Sequence, residues 1–148
     1  MQILVKSASK LNNEELNWIN SVVSENFNKP LLNQDLLNSL KYTKSLWFIC
    51  FIKNKKMGLA SLRDIEEDNL TNICILPEYR NNGYGSMLIN NVILFYREHK
   101  KSLNNITLTV DKNDSFLVEL YTRKGFEIYK TSDTQHYMEF KNKKSYFV

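Results

Sequence analysis

Few residues in this chain punctuate its backbone. Among 148 residues there are only four glycines and two prolines. No Gly/Pro-rich linker therefore divides the sequence, and a single domain over residues 1–148 is expected. The two cysteines, Cys50 and Cys74, lack the C-x-x-C or Cys/His spacing that a metal site or redox motif needs. They read as buried, reduced thiols, and no metal is expected. The longest unbroken apolar stretch, Leu46-Trp47-Phe48-Ile49-Cys50-Phe51-Ile52, is far too short to cross a bilayer. The N-terminus also lacks the basic-then-apolar order of a signal peptide. A soluble, cytoplasmic protein with no membrane partner is the expectation. The formal charge of +4 comes from scattered basic residues rather than a cluster, so a nucleic-acid partner is not expected either. A site for a phosphate-rich ligand would use the same charge.

What is present is apolar content, 43%, enough to close one ordinary core. Gln2 to Lys6 alternates like a strand. After the cap candidates Asn12 and Asn13, the residues Leu16, Ile19, Val22, Val23 and Phe27 recur at helical spacing. A second short helix is expected after Pro30, with Leu32, Leu36 and Leu40 inward. Residues 46–53 and 56–63 read as strands joined by a tight turn at Asn54-Lys55, and residues 70–76 as a third, giving an antiparallel meander. From Gly85 the period changes. Met87, Leu88, Val92 and Phe95 line one helical face, widened by Ile89, Ile93 and Tyr96. Ile106, Leu108 and Val110 then alternate with threonines until Asp111-Lys112-Asn113-Asp114 breaks the pattern. A short helix runs to Lys124, Gly125 takes the left-handed position that ends it, and residues 126–130 and 136–140 form a final hairpin. The order predicts an α+β fold with a sheet of mixed direction.

Chemistry concentrates where a strand ends at Pro77, turns through Arg80-Asn81-Asn82-Gly83-Tyr84-Gly85 and starts a long helix. Such a junction presents unpaired backbone N–H groups at a positive helix end, which suits a pyrophosphate. Gly83 and Gly85 are expected to give conformations and close approach that side chains forbid, with Arg80 adding positive potential. Alone, a G-x-G is also an ordinary turn. A dinucleotide-binding fingerprint would need a third glycine where Leu88 stands, and a P-loop would need Gly-Lys-Ser/Thr where Gly85-Ser86-Met87 follows.

The segment Ile73-Cys74-Ile75-Leu76-Pro77-Glu78-Tyr79-Arg80-Asn81-Asn82-Gly83-Tyr84-Gly85 resembles the phosphate loop of the GNAT superfamily of N-acetyltransferases, Arg/Gln-x-x-Gly-x-Gly/Ala directly after a strand. Downstream, Leu120-Tyr121-Thr122-Arg123-Lys124-Gly125-Phe126 is similar to that family's Leu-Tyr-x-x-x-Gly-Phe. The two motifs occur in order and at the right spacing, and the motif-bearing resemblance covers roughly Asn69 to Phe126. It implies a mixed, mostly antiparallel seven-stranded sheet with about four helices, whose fourth and fifth strands splay apart. The co-substrate it implies is acetyl-CoA, held by Cys74, Ile75, Arg80, Asn81, Asn82, Gly83, Tyr84, Gly85, Ser86, Asp114 and Tyr121. The pantetheine arm would pair with exposed backbone near Cys74 and Ile75, as an added strand does. One departure stands out: the family often has Asn seven residues before its tyrosine, and that position here is Asp114, beside Asn113. Asp114 reads equally well as a helix N-cap.

The reaction that the resemblance implies is acetyl transfer to a primary amine of a small molecule or peptide, by direct attack in a ternary complex. It needs a neutral nitrogen, donors for the developing oxyanion and a proton for the leaving thiolate. By resemblance, the backbone N–H of Ile75 or Cys74 would face the thioester oxygen and Tyr121 would protonate the sulfur. Tyr121 could instead be a helix-face aromatic with its hydroxyl on a backbone group. Relatives often place a base near the start of the fourth strand, which falls around Asp68 and Asn69. The acidic run Asp64, Glu66, Glu67 and Asp68 otherwise reads as a solvated hairpin turn, and Glu78 as exposed. His136 is a second candidate base, while His99 reads as a partner of its helix C-terminus. Trp18, Trp47 and Tyr42 suit either core packing or an acceptor pocket. The resemblance allows a homodimer, although no residue pattern marks an interface. The competing function is a non-catalytic acyl-CoA-binding sensor or interaction module.

Overall fold

A computed structural model describes residues 1–64, 68–99 and 106–140. The elements are β1 (Gln2–Ser7), α1 (Asn13–Phe27), α2 (Gln34–Ser39), β2 (Ser45–Ile52), β3 (Lys55–Asp64), β4 (Asp68–Ile75), α3 (Tyr84–His99), β5 (Ile106–Asp111), α4 (Ser115–Arg123), β6 (Phe126–Thr131) and β7 (Gln135–Phe140). The strands form one seven-stranded sheet in the order β1-β2-β3-β4-β5-β7-β6. Its neighbours are antiparallel except β4 and β5, which are parallel and, among the described residues, paired only at Asn69 and Thr107. From that point the two strands diverge. The α+β class, the mixed sheet and the splay expected from the sequence are all present.

The sheet separates two cores, which explains why β2 is apolar without interruption: a strand covered on both faces needs no polar side. Phe48 and Cys50 enter the core shared with Leu88, Ile89, Val92 and Tyr96 of α3. Trp47 and Ile49 enter the other, with Leu16, Ile19 and Val22 of α1 and Leu37 of α2. Both cysteines are free and buried.

Local chemistry fixes the entry of α1. The Asn12 side chain accepts from the Glu15 N–H at 2.8 Å, while the Glu15 carboxylate accepts from the Asn12 N–H and from Lys6 Nζ, each at 2.9 Å. This capping box also pins β1 to the helix. Burial pushes the Glu15 carboxyl up, but the Asn12 N–H and the Lys6 ammonium outweigh it and hold it below the usual range.

Three details differ from the sequence reading. The β2–β3 turn is centred on Lys53-Asn54, not Asn54-Lys55. Both residues have positive φ, +49° and +64°, the conformation of a tight turn whose twist matches the strands. In α2 the inward residue is Leu37, whereas Leu32 and Leu36 are exposed. The Asn33 side chain caps the Leu36 N–H and so sets a helix phase that turns Leu37 and Leu40 toward the sheet. Met87 is likewise exposed, because α3 presents the stripe Leu88, Ile89, Val92, Ile93 and Tyr96 to the core. Gly125 does adopt a positive φ, +103°, and a Cβ there would lie 2.9 Å from the Phe140 ring. His99 behaves as read: Nδ1 donates to the Phe95 carbonyl at 3.1 Å and the two rings stack.

Candidate active site

The Arg80–Ser86 loop joins β4 to α3 and is built to leave amides free. The Met87 N–H bonds the Gly83 carbonyl, so α3 begins at Tyr84 and its first amides have no intrahelical acceptor. Among the described residues, no acceptor bonds the backbone N–H of Asn81, Asn82, Gly83, Tyr84, Gly85 or Ser86. The positive-φ positions here are Asn81 (+65°) and Gly83 (+80°), not Gly85. Gly85 is helical, and a Cβ there would touch Ile75 Cγ1 at an ordinary 3.7 Å. The Asn82 amide donates to the carbonyls of Tyr79 and Arg80, tying the loop from within. Arg80 does not extend freely into the site. Its Nε donates to the Ile75 carbonyl at 2.8 Å and its guanidinium to Asn26 Oδ1 at 3.0 Å, which fastens the end of β4 to α1.

The loop opens on a cavity of about 370 Å³, walled by Ile73, Ile75, Ile89, Phe116, Leu120 and Tyr121. The divergence of β4 and β5 makes a second cavity of about 430 Å³, and Ile73, Leu117 and Tyr121 line both. Strand register decides which amides face this gap. The Leu76 N–H bonds Met57 on β3, and antiparallel pairing alternates, so Cys74 turns its peptide groups toward β3 and Ile75 turns its own away. Gly58 lets the strands close at this point, since a Cβ there would lie 2.6 Å from the Cys74 carbonyl oxygen. Farther along, β4 carries a bulge between Thr71 and Cys74, with Asn72 at φ +55°.

Tyr121, on α4, is 7% exposed and packs edge-on against Phe126. No described residue bonds its hydroxyl, so the backbone partner that a packing role would supply is missing. Burial, reinforced by the neighbouring Asp114 carboxylate, pushes this hydroxyl up to about 12. It therefore stays protonated at neutral pH. Asp114 caps α4, its Oδ1 accepting from the Leu117 N–H at 3.1 Å, and it also lines the gap between β4 and β5.

A third cavity, about 310 Å³, lies on the α1 and α2 side of the sheet and meets the gap at Lys29 and Asn72. Ser45, Trp47 and Ser61 line its sheet side, with Arg63 among the other residues around it. Asn72 Nδ2 donates to Ser61 Oγ at 3.2 Å and Thr71 Oγ1 at 3.4 Å, and among the described residues nothing donates to its Oδ1. The sequence reading missed Lys29, Arg63 and Asn72. In a chain rich in Asn and Lys only the positive φ of Asn72 distinguishes it, and that is not a sequence signal.

The other candidates lie elsewhere. The acidic run falls on residues 64–68, and its side chains lie outside the described residues, as does that of the candidate base Asp68. Asn69 Oδ1 accepts from Thr107 Oγ1 at 3.4 Å. His136 pairs with Thr131 Oγ1 at 2.8 Å and lines none of the three cavities. Glu78 and Tyr42 are exposed, and Trp18 packs under the Lys56 ammonium. Trp47 serves both core and cavity. Among the described residues no helix is long and apolar enough to cross a membrane.

Comparison with solved structures returns the same fold. The spermidine N-acetyltransferase of Vibrio cholerae superposes with a TM-score of 0.77 at 19% identity, over 95% of this chain and 94% of that one. The ribosomal-protein-S18-alanine N-acetyltransferase of Escherichia coli gives 0.75 at 17%, over 97% and 96%. The PaiA N-acetyltransferase of Thermoplasma acidophilum, solved with coenzyme A, gives 0.68 at 20%, over 95% and 99%. Among curated proteins no sequence matches significantly. Residues 12–126 match the model of the acetyltransferase (GNAT) family, a span that holds the phosphate-type loop, the splayed strands and Tyr121, and the chain belongs to that family.

Proposed function

We propose that this protein transfers the acetyl group of acetyl-CoA to a primary amine of a small molecule or peptide, by direct attack in a complex that holds both. One observation carries the reading: the acceptor-free amides from Asn81 to Ser86 open on a cavity that continues, past Tyr121, into the gap between β4 and β5. Six successive amides at a helix start suit a pyrophosphate, and the apolar walls beyond suit an extended pantetheine arm. Arg80 supports the site by bracing β4 and by its charge. Ile75 offers that arm its N–H, and its carbonyl if Arg80 releases it.

Acetyl-CoA supplies an acyl carbon already activated as a thioester. The amine attacks that carbon, the C–S bond breaks, the nitrogen gives up a proton and the sulfur gains one. The Ile75 N–H, which turns away from β3 toward the gap, donates to the acyl oxygen. Tyr121 donates a hydrogen bond to the sulfur. Its hydroxyl at about 12 is a weaker acid than an ordinary thiol, so it stabilises the departing thiolate rather than surrendering its proton outright. The amine enters from the α1 and α2 side, through the cavity that joins the gap at Asn72.

Calorimetry with acetyl-CoA followed by a thiol-release assay across an amine panel tests this. Binding and amine-dependent release are expected. Binding without release for any amine would leave a cofactor-binding module instead, and absence of binding would remove both readings.

A further inference from the structure

The cavity on the α1 and α2 side has a charge pattern that points to its ligand. Two cationic side chains line it, Lys29 just past the C-cap of α1 and Arg63 on β3, and no carboxylate does so among the described residues. Neither cation makes an ion pair with a described residue. Ile19, Val23, Leu37 and Trp47 give the cavity apolar surface, and the uncharged polar side chains of Ser45, Ser61 and Asn72 complete it on the sheet side. Among the described residues, carboxylates line the space across the junction, where Asp111 and Asp114 border the gap between β4 and β5. Among the described residues the charge thus runs from Arg63 in the cavity, through Lys29 at the junction, to the two carboxylates of the gap.

An amine that enters this gradient is favoured when its nitrogen leads toward the gap and an anionic group trails. From this we infer that the acceptor is a small primary amine that also bears an anion, a carboxylate or a phosphate, on an apolar body. Arg63 and Lys29 read the anion, the first as a planar fork and the second as a point charge. The Oδ1 of Asn72 receives an N–H of the amine at the threshold of the gap. The volume, about 310 Å³, lies at the small end of ligand pockets and matches a metabolite rather than a folded partner. A linear polycation is the ligand this cavity disfavours, since it would set ammonium groups beside Arg63 and Lys29. The polyamine acceptor in the name of the Vibrio cholerae neighbour therefore does not carry over. This inference rests on the acceptor role given above to the cavity.

The test separates the two. Calorimetry on protein saturated with CoA, which cannot react, compares matched probes: aromatic and aliphatic amino acids against their carboxamides, aminoalkyl phosphates against the amino alcohols, and spermidine. The anionic member of each pair should bind about tenfold more tightly, with the phosphate and carboxylate series showing which anion is preferred. Arg63→Gln combined with Lys29→Gln should abolish that preference. Both side chains are exposed, so the double variant should melt as the parent does. Equal binding within pairs, tighter binding of spermidine, no measurable binding of any probe, or a preference that survives the double substitution would each overturn the inference. Thiol release from acetyl-CoA is read in parallel: release without anion preference defeats only this inference, and anion preference without release defeats only acetyl transfer.

Discussion

Replacing Tyr121 with phenylalanine separates chemistry from architecture. The ring is 7% exposed and held edge-on by Phe126, and phenylalanine fills the same space. Because no described residue bonds the hydroxyl, its removal orphans nothing in the fold. The stability change should stay within about 0.5 kcal/mol, as for a substitution that opens no cavity and breaks no bond. Loss of a donor to the leaving sulfur is another matter. A positioned donor or acid contributes about 100-fold or more, equivalent to roughly 2.7 kcal/mol of barrier. Tyr121→Phe should therefore lower kcat about 100-fold while calorimetric affinity for acetyl-CoA changes less than about threefold, since it removes an interaction that matters only as the C–S bond breaks. The assay is thiol release with the best amine of the panel, with a melting curve and a CoA titration as controls. Turnover within about threefold of the parent would refute the role given to Tyr121.

Four other substitutions and one pH effect follow from the same geometry. Gly83→Val places a branched side chain at φ +80°, and should weaken acetyl-CoA affinity about tenfold or more with a modest loss of melting temperature. Gly125→Ala meets both φ +103° and the Phe140 ring at 2.9 Å, and chemical denaturation should show a loss of about 1–3 kcal/mol. Asn12→Ala removes one half of the α1 cap and should cost about 1 kcal/mol without altering CoA binding. Glu15→Gln should flatten the acid limb of stability: the folded carboxyl is held low, so its contribution is present above the unfolded pKa and lost as pH falls through the folded one. At the other extreme Tyr121 is raised to about 12, so its contribution is complete below pH ~10 and lost as pH climbs through the folded value. Cys50, also raised to about 12 by burial, acts in the same direction. Denaturation curves from pH 9 to 12 should fall less steeply in Tyr121→Phe.

The loop and helix start proposed to hold the donor were legible as structure because they are local. A strand, a left-handed turn and a helix start are contiguous from Ile73 to Ser86, and the Tyr121–Phe126 motif spans one helix and its terminating glycine. Even there the pattern misled in one respect: G-x-G drew attention to Gly85, while the left-handed residues are Asn81 and Gly83. Asn tolerates that conformation through its short polar side chain, so frequent asparagines hide turns that glycine would announce. The same ambiguity displaced the β2–β3 turn by one residue. Around α2 the leucines at 31, 32, 36, 37 and 40 fit more than one helical face, and the Asn33 cap chose between them. The cavity proposed for the acceptor was not legible because it is assembled from α1, the segment after it, α2, β2, β3 and the β4 bulge. Register decides that Ser61, Arg63 and Asn72 meet there, and register is a property of the paired sheet. Gly58 was silent for the same reason, its need for a bare Cα arising only from the Cys74 carbonyl of the adjoining strand.

If the amides of the loop after β4 hold the pyrophosphate of the co-substrate, backbone amide shifts read the contact directly. Titration of nitrogen-15-labelled protein with CoA should move the resonances of Asn81 to Ser86 most, together with Ile73 and Ile75. Pantetheine, which lacks the pyrophosphate, should move only the latter pair. Shifts centred elsewhere on the sheet, or a loop that responds equally to pantetheine, would contradict a pyrophosphate held by these amides.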